Sequence, residues 1–126
     1  MVKKVSAADL QQLRTAVASV ANAESLSPAE LAAAARTVCA LLGLAFPGGS
    51  VELRVPPYAA VQLGIGERGR HTRGTPPNVV QTDAATLVAL AGGSLQWDDA
   101  RELHRVQASG PHSDLSALWP LPQLHS

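Results

Sequence analysis

The chain has 126 residues, with ten basic and ten acidic residues and therefore no net formal charge. Its length suits one domain, because dividing it would leave too few residues for two hydrophobic cores. Apolar residues make up 46% of the chain, which excludes a disordered polymer, and the balanced charge argues against a nucleic-acid-binding surface. Aromatic residues make up only 3%, so we expect a core built mainly from alanine, valine and leucine.

Cysteine content and hydropathy bear on where the protein works. The single cysteine, Cys39, excludes an internal disulfide and suits a reducing compartment. A polar amphipathic stretch follows the first residues, where a secretory signal would have a continuous apolar region. The longest apolar stretch, residues 31–46, contains Arg36 and is too short to cross a bilayer. We therefore expect a cytoplasmic protein that is not an integral membrane protein.

The N-terminal part of the chain predicts two helices. Residues 7–22 carry leucine and valine at helical spacing, with glutamine and arginine between them. A second helix is predicted after Ser27, with Pro28 at its first position and Glu30 completing a capping box. This helix is expected to run to about Leu44.

Strand patterns follow the two helices. Residues 51–55 alternate apolar and polar side chains, which predicts a half-buried strand that ends at paired prolines. Residues 59–65 alternate again. Glycines at 66–69 indicate a hairpin, with a short return strand expected around 70–73. A further strand is predicted over 78–82.

The last third of the chain mixes helices with one strand. Asp83 is predicted to cap a helix over 84–90, and a shorter helix is expected over about 98–103. A strand over 106–110 and a tail of turns and irregular chain over 114–124 complete the sequence. Strands and helices do not alternate regularly, which excludes a doubly wound sheet. The order favours an α+β fold, with a mostly antiparallel sheet and helices on one face.

This order, together with three motifs, resembles the sterol carrier protein family, and most closely its compact bacterial members of the actinobacterial type. The motifs are residues 51–58 (VELRVPPY), residues 71–80 (HTRGTPPNVV) followed by Asp83, and the C-terminal segments ASG, DLS and LWPL within residues 108–121. The likeness covers about residues 27–122. We therefore expect a single domain over 1–126 with its core in 27–122 and a peripheral N-terminal helix within 1–26.

The resemblance implies a fold and a range of functions. It implies a five-stranded, mostly antiparallel (mixed) sheet covered by helices and enclosing an apolar cavity. Relatives bind sterols, fatty acids or acyl-CoA, and the same fold serves as a C-terminal domain in thiol-dependent isomerases and some acetyltransferases. The fold alone does not identify the ligand.

Our first functional hypothesis is a non-catalytic binding module for a small apolar or amphipathic ligand, such as a fatty acyl chain or a sterol-like molecule. Strand residues would line the interior, with two further side chains near the entrance; these are Val61, Leu63, Ile65 and Val80, then Leu87 and Trp119. His71 and Arg73 are candidate contacts for an anionic head group. A structural strand with solvated charges is the alternative for that pair.

Two other hypotheses remain open. The first is a structural or interaction domain with a filled core and no ligand, acting as a homodimer or as the partner of a thiol-dependent enzyme. Under this hypothesis the C-terminal leucines and Trp119 would complete the core or form a dimer contact. Under the ligand hypothesis the same residues would form a lid over the cavity. The second is an enzyme, but the sequence supplies no nucleophile–base pair, no metal-ligand spacing and no phosphate or dinucleotide fingerprint. We therefore expect no catalysis, no metal and no cofactor, and Cys39 is interpreted as an inert small hydrophobe.

Overall fold

A computed structural model describes residues 4–65 and 78–125. Two helices come first, followed by three strands, two helices, a last strand and two short 3-10 helices. The elements are α1 (Ala7–Ala21), α2 (Pro28–Ala45), β1 (Val51–Val55), β2 (Ala59–Leu63), β3 (Asn78–Thr82), α3 (Ala84–Gly92), α4 (Trp97–Glu102), β4 (Val106–Ser109) and the 3-10 helices Ser116–Leu118 and Pro122–Leu124.

The strands of the described residues form one mixed sheet in the order β2-β1-β3-β4. β1 and β3 run parallel, whereas β2 is antiparallel to β1 and β4 is antiparallel to β3. The α+β class with two N-terminal helices and a mixed sheet is confirmed, and the sheet of the described residues has four strands where five were predicted. Five strands were implied by the family resemblance, and the turn-forming glycines after β2 placed one of them around 70–73. Those glycines and the expected strand around 70–73 lie outside the described residues.

Local capping determines where the longer helices begin. Ser27 and Glu30 form the predicted capping box: the Ser27 hydroxyl accepts from the Glu30 backbone N–H at 3.1 Å, and the Glu30 carboxylate accepts from the Ser27 N–H at 2.8 Å. Asp83 caps α3 by accepting from the Thr86 N–H at 2.8 Å, as predicted. Gly93 caps the C-terminus of α3, and its φ of +85° is a left-handed conformation that glycine adopts without strain.

The hydrophobic core lies between the helices and one face of the sheet. Val51, Leu53 and Val55 of β1 are at most 1% exposed, and α2 contacts β2 while the three longer helices pack on one another. The alternate residues Glu52 and Arg54 lie on the opposite face, where they form an ion pair. The alternation read from the sequence therefore separates a core face from a polar face.

By length and composition alone α2 could cross a membrane, although the apolar stretch within it was expected to be too short. Ala35, Val38 and Leu42 of this helix are at most 1% exposed, because they pack into the core. Core packing therefore accounts for the apolar character of α2.

The C-terminal tail closes one side of the core. Leu115, Leu118 and Leu121 are buried, and the Leu121 N–H donates to the Ala91 carbonyl of α3 at 2.9 Å. The tail packs on the body after a helical turn, as predicted, but the part expected to be irregular contains a second 3-10 turn, Pro122–Leu124.

Candidate ligand-binding site

A half-open groove of about 400 Å³ lies between α1 and α2. Its walls are mainly alanine methyl groups, and its polar side chains are two glutamines, a threonine and a glutamate. The lining residues are Ala8, Gln11, Gln12, Thr15 and Ala16 of α1 and Ala29, Glu30, Ala33 and Ala34 of α2. The groove is thus an apolar concavity with a polar border.

The groove exists because short side chains face each other while α1 is held by another helix. Ala29 and Ala33 are four residues apart and share one face of α2. On α1, Leu13 is 1% exposed in the core, and Val17 lies against Gly92 of α3. Because α1 is anchored on α3, the alanines cannot fill the space between α1 and α2, and that space remains open.

Glu30 is the charged side chain among the described residues that line the groove. Both of its hydrogen bonds with Ser27 belong to the capping box. The Glu30 N–H donates to the Ser27 hydroxyl, and the Glu30 carboxylate accepts from the Ser27 N–H. Hydrogen bonding with Ser27, from the backbone first and the side chain second, holds the pKa of Glu30 below its usual value. The groove border therefore carries a negative charge at neutral pH.

The structure places the predicted interior residues in the core. Leu63, Val80 and Leu87 are each 0% exposed, and Val61 and Ile65 are half-buried against the same cluster. Val61 and Val80 lie on either side of Leu53 in the sheet. The strand residues are thus brought together on the helix-covered face, and none of them lines the α1–α2 groove.

Trp119 lies elsewhere, in a small concavity of about 120 Å³ that also involves Trp97 and Pro120. Its ring is half-buried against the core, and its indole nitrogen is buried with no hydrogen-bond partner among the described residues. The structure therefore separates Trp119 from the groove between α1 and α2.

His71 and Arg73 lie outside the described residues. The anion contact assigned to this pair stays a prediction.

A polar cluster lies where the parallel strands β1 and β3 end. The Thr86 hydroxyl donates to the Asp83 carboxylate at 2.8 Å and accepts from Arg105 Nε at 3.0 Å. The Thr82 hydroxyl donates to the Arg105 carbonyl at 2.8 Å. Each of these bonds serves the helix cap or fixes the start of β4, so the cluster has a structural role.

Cys39 is a free cysteine that lies buried in the core. Burial raises the pKa of the Cys39 thiol to about 12, so the thiol stays protonated and unreactive at neutral pH. Within residues 4–65 and 78–125, no three histidine, cysteine or acidic side chains are placed to hold a metal ion.

The groove was not predicted from the sequence, because alanines were expected to contribute mainly to the core. The signal was present in Ala29 and Ala33, which lie one helical turn apart and outside the buried stripe of α2. Glutamines at positions 11 and 12 were interpreted only as the exposed side of α1. The alanine face of α2 and the glutamine side of α1 face each other only because α1 packs on α3, and that contact joins residues distant in sequence.

One family model matches most of the chain. It is described as bacterial SCP ortholog, where SCP stands for sterol carrier protein, and it matches residues 27–121. The match runs from the start of α2 into the C-terminal tail and leaves α1 outside it. No curated protein matches the chain.

Proposed function

The chain belongs to the bacterial sterol carrier protein family, and we propose that it binds a small apolar or amphipathic ligand of the fatty acyl or sterol-like class without catalysing a reaction. The observation that carries this proposal is the half-open apolar groove between α1 and α2, whose volume is about 400 Å³. Small-molecule sites span roughly 300–1,000 Å³. At roughly 30 Å³ for a water-sized group, the groove has room for about a dozen methylene groups.

The size and openness of the groove set the expected affinity. A dozen methylene groups would contribute about 10 kcal/mol if they were fully buried. Association costs on the order of 4 kcal/mol or more in lost translational and rotational freedom, and a half-open groove leaves part of the ligand's hydrocarbon chain in water. We therefore expect a dissociation constant no tighter than about 40 µM.

The groove is preferred over the core as the ligand position because the core is packed. Leu63, Val80 and Leu87 have no exposed surface, so a ligand there would require the helices to separate from the sheet. The groove needs no such rearrangement. If the ligand instead bound at the interior positions Val61 and Ile65, its affinity would not change with substitutions in the groove.

A pair of leucine substitutions tests the proposal. Ala33→Leu fills the groove from a half-buried position, whereas Ala18→Leu adds the same side chain at an exposed position of α1 that does not line the groove. Saturable emission from N-decyl dansylamide should be seen with the wild-type protein. We expect Ala33→Leu to weaken binding at least about tenfold, since it displaces several buried methylene groups, and Ala18→Leu to leave it nearly unchanged.

Two results would count against the proposal. Absence of saturable binding by the wild-type protein would refute ligand binding of this class. Equal binding by both leucine variants would place the ligand outside the groove.

The alternative function is that of a structural or interaction domain with a filled core, acting as a homodimer or as the partner of a thiol-dependent enzyme. The packed state of Leu63, Val80 and Leu87 favours it. Light scattering over a range of protein concentrations tests it. A stable dimer together with no probe binding would favour this function over ligand binding.

We further propose that the protein works in the cytoplasm and does not bind nucleic acid. Its lone cysteine is a buried free thiol, which suits a reducing compartment. Its formal net charge is zero, which provides no electrostatic drive toward a phosphate backbone.

A further inference from the structure

The α1–α2 groove has a polar border that limits which head groups it accepts. Glu30 is ionised at neutral pH as an ordinary carboxyl group is, and hydrogen bonding with Ser27 lowers its pKa further. The other polar side chains that line the groove are Gln11, Gln12 and Thr15, which carry no charge. Within residues 4–65 and 78–125, no lysine, arginine or histidine lines the groove to offset Glu30.

Arg14 is the arginine of α1, and it is engaged elsewhere. Its guanidinium donates to the backbone carbonyl of Gln123 in the C-terminal tail at 3.1 Å. This contact directs the positive charge of α1 toward the tail.

The N-terminus of α2 has two of its first amides already engaged, and Glu30 offsets the positive end of its dipole. Of its first amides, that of Glu30 donates to the Ser27 hydroxyl and that of Leu31 donates to the Ser27 carbonyl. Pro28 has no N–H to donate. The negative charge of Glu30 in this turn opposes the positive end of the helix dipole.

Uncharged hydrogen-bonding groups have suitable partners on the same border. Gln11 and Gln12 are exposed, and their amides can both donate and accept. The Thr15 hydroxyl donates to the Gln11 carbonyl at 3.1 Å, which leaves its oxygen able to accept. A hydroxyl, amide or ammonium head group can therefore be bound where a carboxylate meets a like charge.

We infer that the groove selects single-chain amphiphiles with an uncharged or cationic head group and discriminates against carboxylates. The inference rests on the proposed function and names the ligand class of the same site. This selectivity follows from three features of the groove: apolar walls that take one hydrocarbon chain, the Glu30 carboxylate at the border, and amide and hydroxyl groups beside that carboxylate.

The test compares ligands with the same chain and different head groups. Decanol, decylammonium and decanoate displace N-decyl dansylamide from the full chain in buffer of low ionic strength. We expect decanoate to bind about three- to fivefold more weakly than decanol, as for two like charges roughly 5 Å apart in water-like surroundings. Decylammonium should bind at least as well as decanol, and added salt should bring the three affinities together.

Glu30→Gln provides the decisive variant. Glutamine also serves at the third position of a capping box, so the start of α2 is retained while the charge is removed. The ratio between decanol and decanoate should fall close to one in this variant. Glu102→Gln, which removes a charge on α4 away from the groove, should keep the wild-type ratio.

The possible failures can be told apart. Equal binding of decanol and decanoate at a site blocked by Ala33→Leu would overturn the head-group inference and leave the proposed function intact. A wild-type ratio retained in Glu30→Gln would do the same. Absence of displacement by all three ligands would overturn both.

Discussion

Gly92, the last residue of α3, tests how firmly α1 is held, and therefore whether the groove has a fixed wall. A Cβ atom added at Gly92 would overlap Val17 Cγ1 of α1 and lie 3.3 Å from Val17 Cβ and Cγ2. Ordinary contacts between carbon atoms fall at about 3.5–4.0 Å. Gly92→Ala therefore forces α1 away from α3 or moves Val17 out of its rotamer.

The expected loss of stability follows from two opposing terms. Overpacking a contact of this kind costs about 1–3 kcal/mol. Replacing glycine by alanine in a helix contributes up to about 1 kcal/mol in the opposite direction, and less at a terminal residue such as Gly92. The free energy of unfolding should fall by about 1–2 kcal/mol, which for a domain of this length lowers Tm by about 3–10 °C.

Urea denaturation of a double-mutant cycle measures the contact directly. Val17→Ala alone should destabilise the protein by about 1 kcal/mol. The double variant should lose less stability than the sum of the two single losses, because the new methyl group of Gly92→Ala occupies the space that the Val17 side chain leaves. Wild-type stability of Gly92→Ala, or purely additive losses in the double variant, would refute this account of the α1–α3 contact.

Two further predictions concern the helix cap and the buried thiol. Asp83→Ala should lower the free energy of unfolding, measured in urea, by about 1–2 kcal/mol, because the Thr86 N–H and hydroxyl both lose their acceptor. Asp83→Asn keeps a capping side chain and should lose clearly less stability. Equal losses in the two variants would contradict the capping role. The folded pKa of Cys39, raised to about 12 by burial, lies above its ordinary value of 9.0, so this thiol's contribution to stability is fully present below pH 9 and is lost as the pH rises toward 12. The urea midpoint of Cys39→Ala should therefore fall less steeply than that of the wild-type protein above pH 9, and parallel profiles would contradict the burial of the thiol.

Elements fixed by adjacent residues were predictable from the sequence. Ser27, Pro28 and Glu30 act within one helical turn, and α2 begins where they predict. The strand over residues 51–55 has the predicted limits, because its alternation ends at prolines that cannot continue a ladder. The resemblance to sterol carrier proteins, drawn from short motifs, is confirmed by the match over residues 27–121.

The end of β2 shows why some boundaries were not predictable. Alternation continues to Ile65, but the strand ends at Leu63. The Ser50 hydroxyl has the carbonyls of Leu63 and Ile65 within reach of its one hydrogen, at 3.2 and 3.0 Å, and it accepts from the Ile65 N–H at 2.9 Å. The Gly64 N–H donates to the Phe46 carbonyl. These partners lie 13 to 18 residues earlier in the chain, so the local pattern contains no sign of them.

Sheet order and the groove are likewise products of distant contacts. The parallel pairing of β1 with β3 joins residues such as Leu53 and Val80, and no local pattern specifies a partner strand. The groove requires α1 to rest on α3 while alanines of α2 face it. Amphipathic periodicity predicts the buried side of each helix and does not give the spacing between two helices.

The position of the ligand is the central claim, and amide and methyl NMR shifts during a titration with decanol test it most directly. We predict saturable changes at Ala8, Ala29 and Ala33, which line the groove. Changes confined to Val61, Ile65 and Trp119, with the groove alanines unmoved, would contradict it.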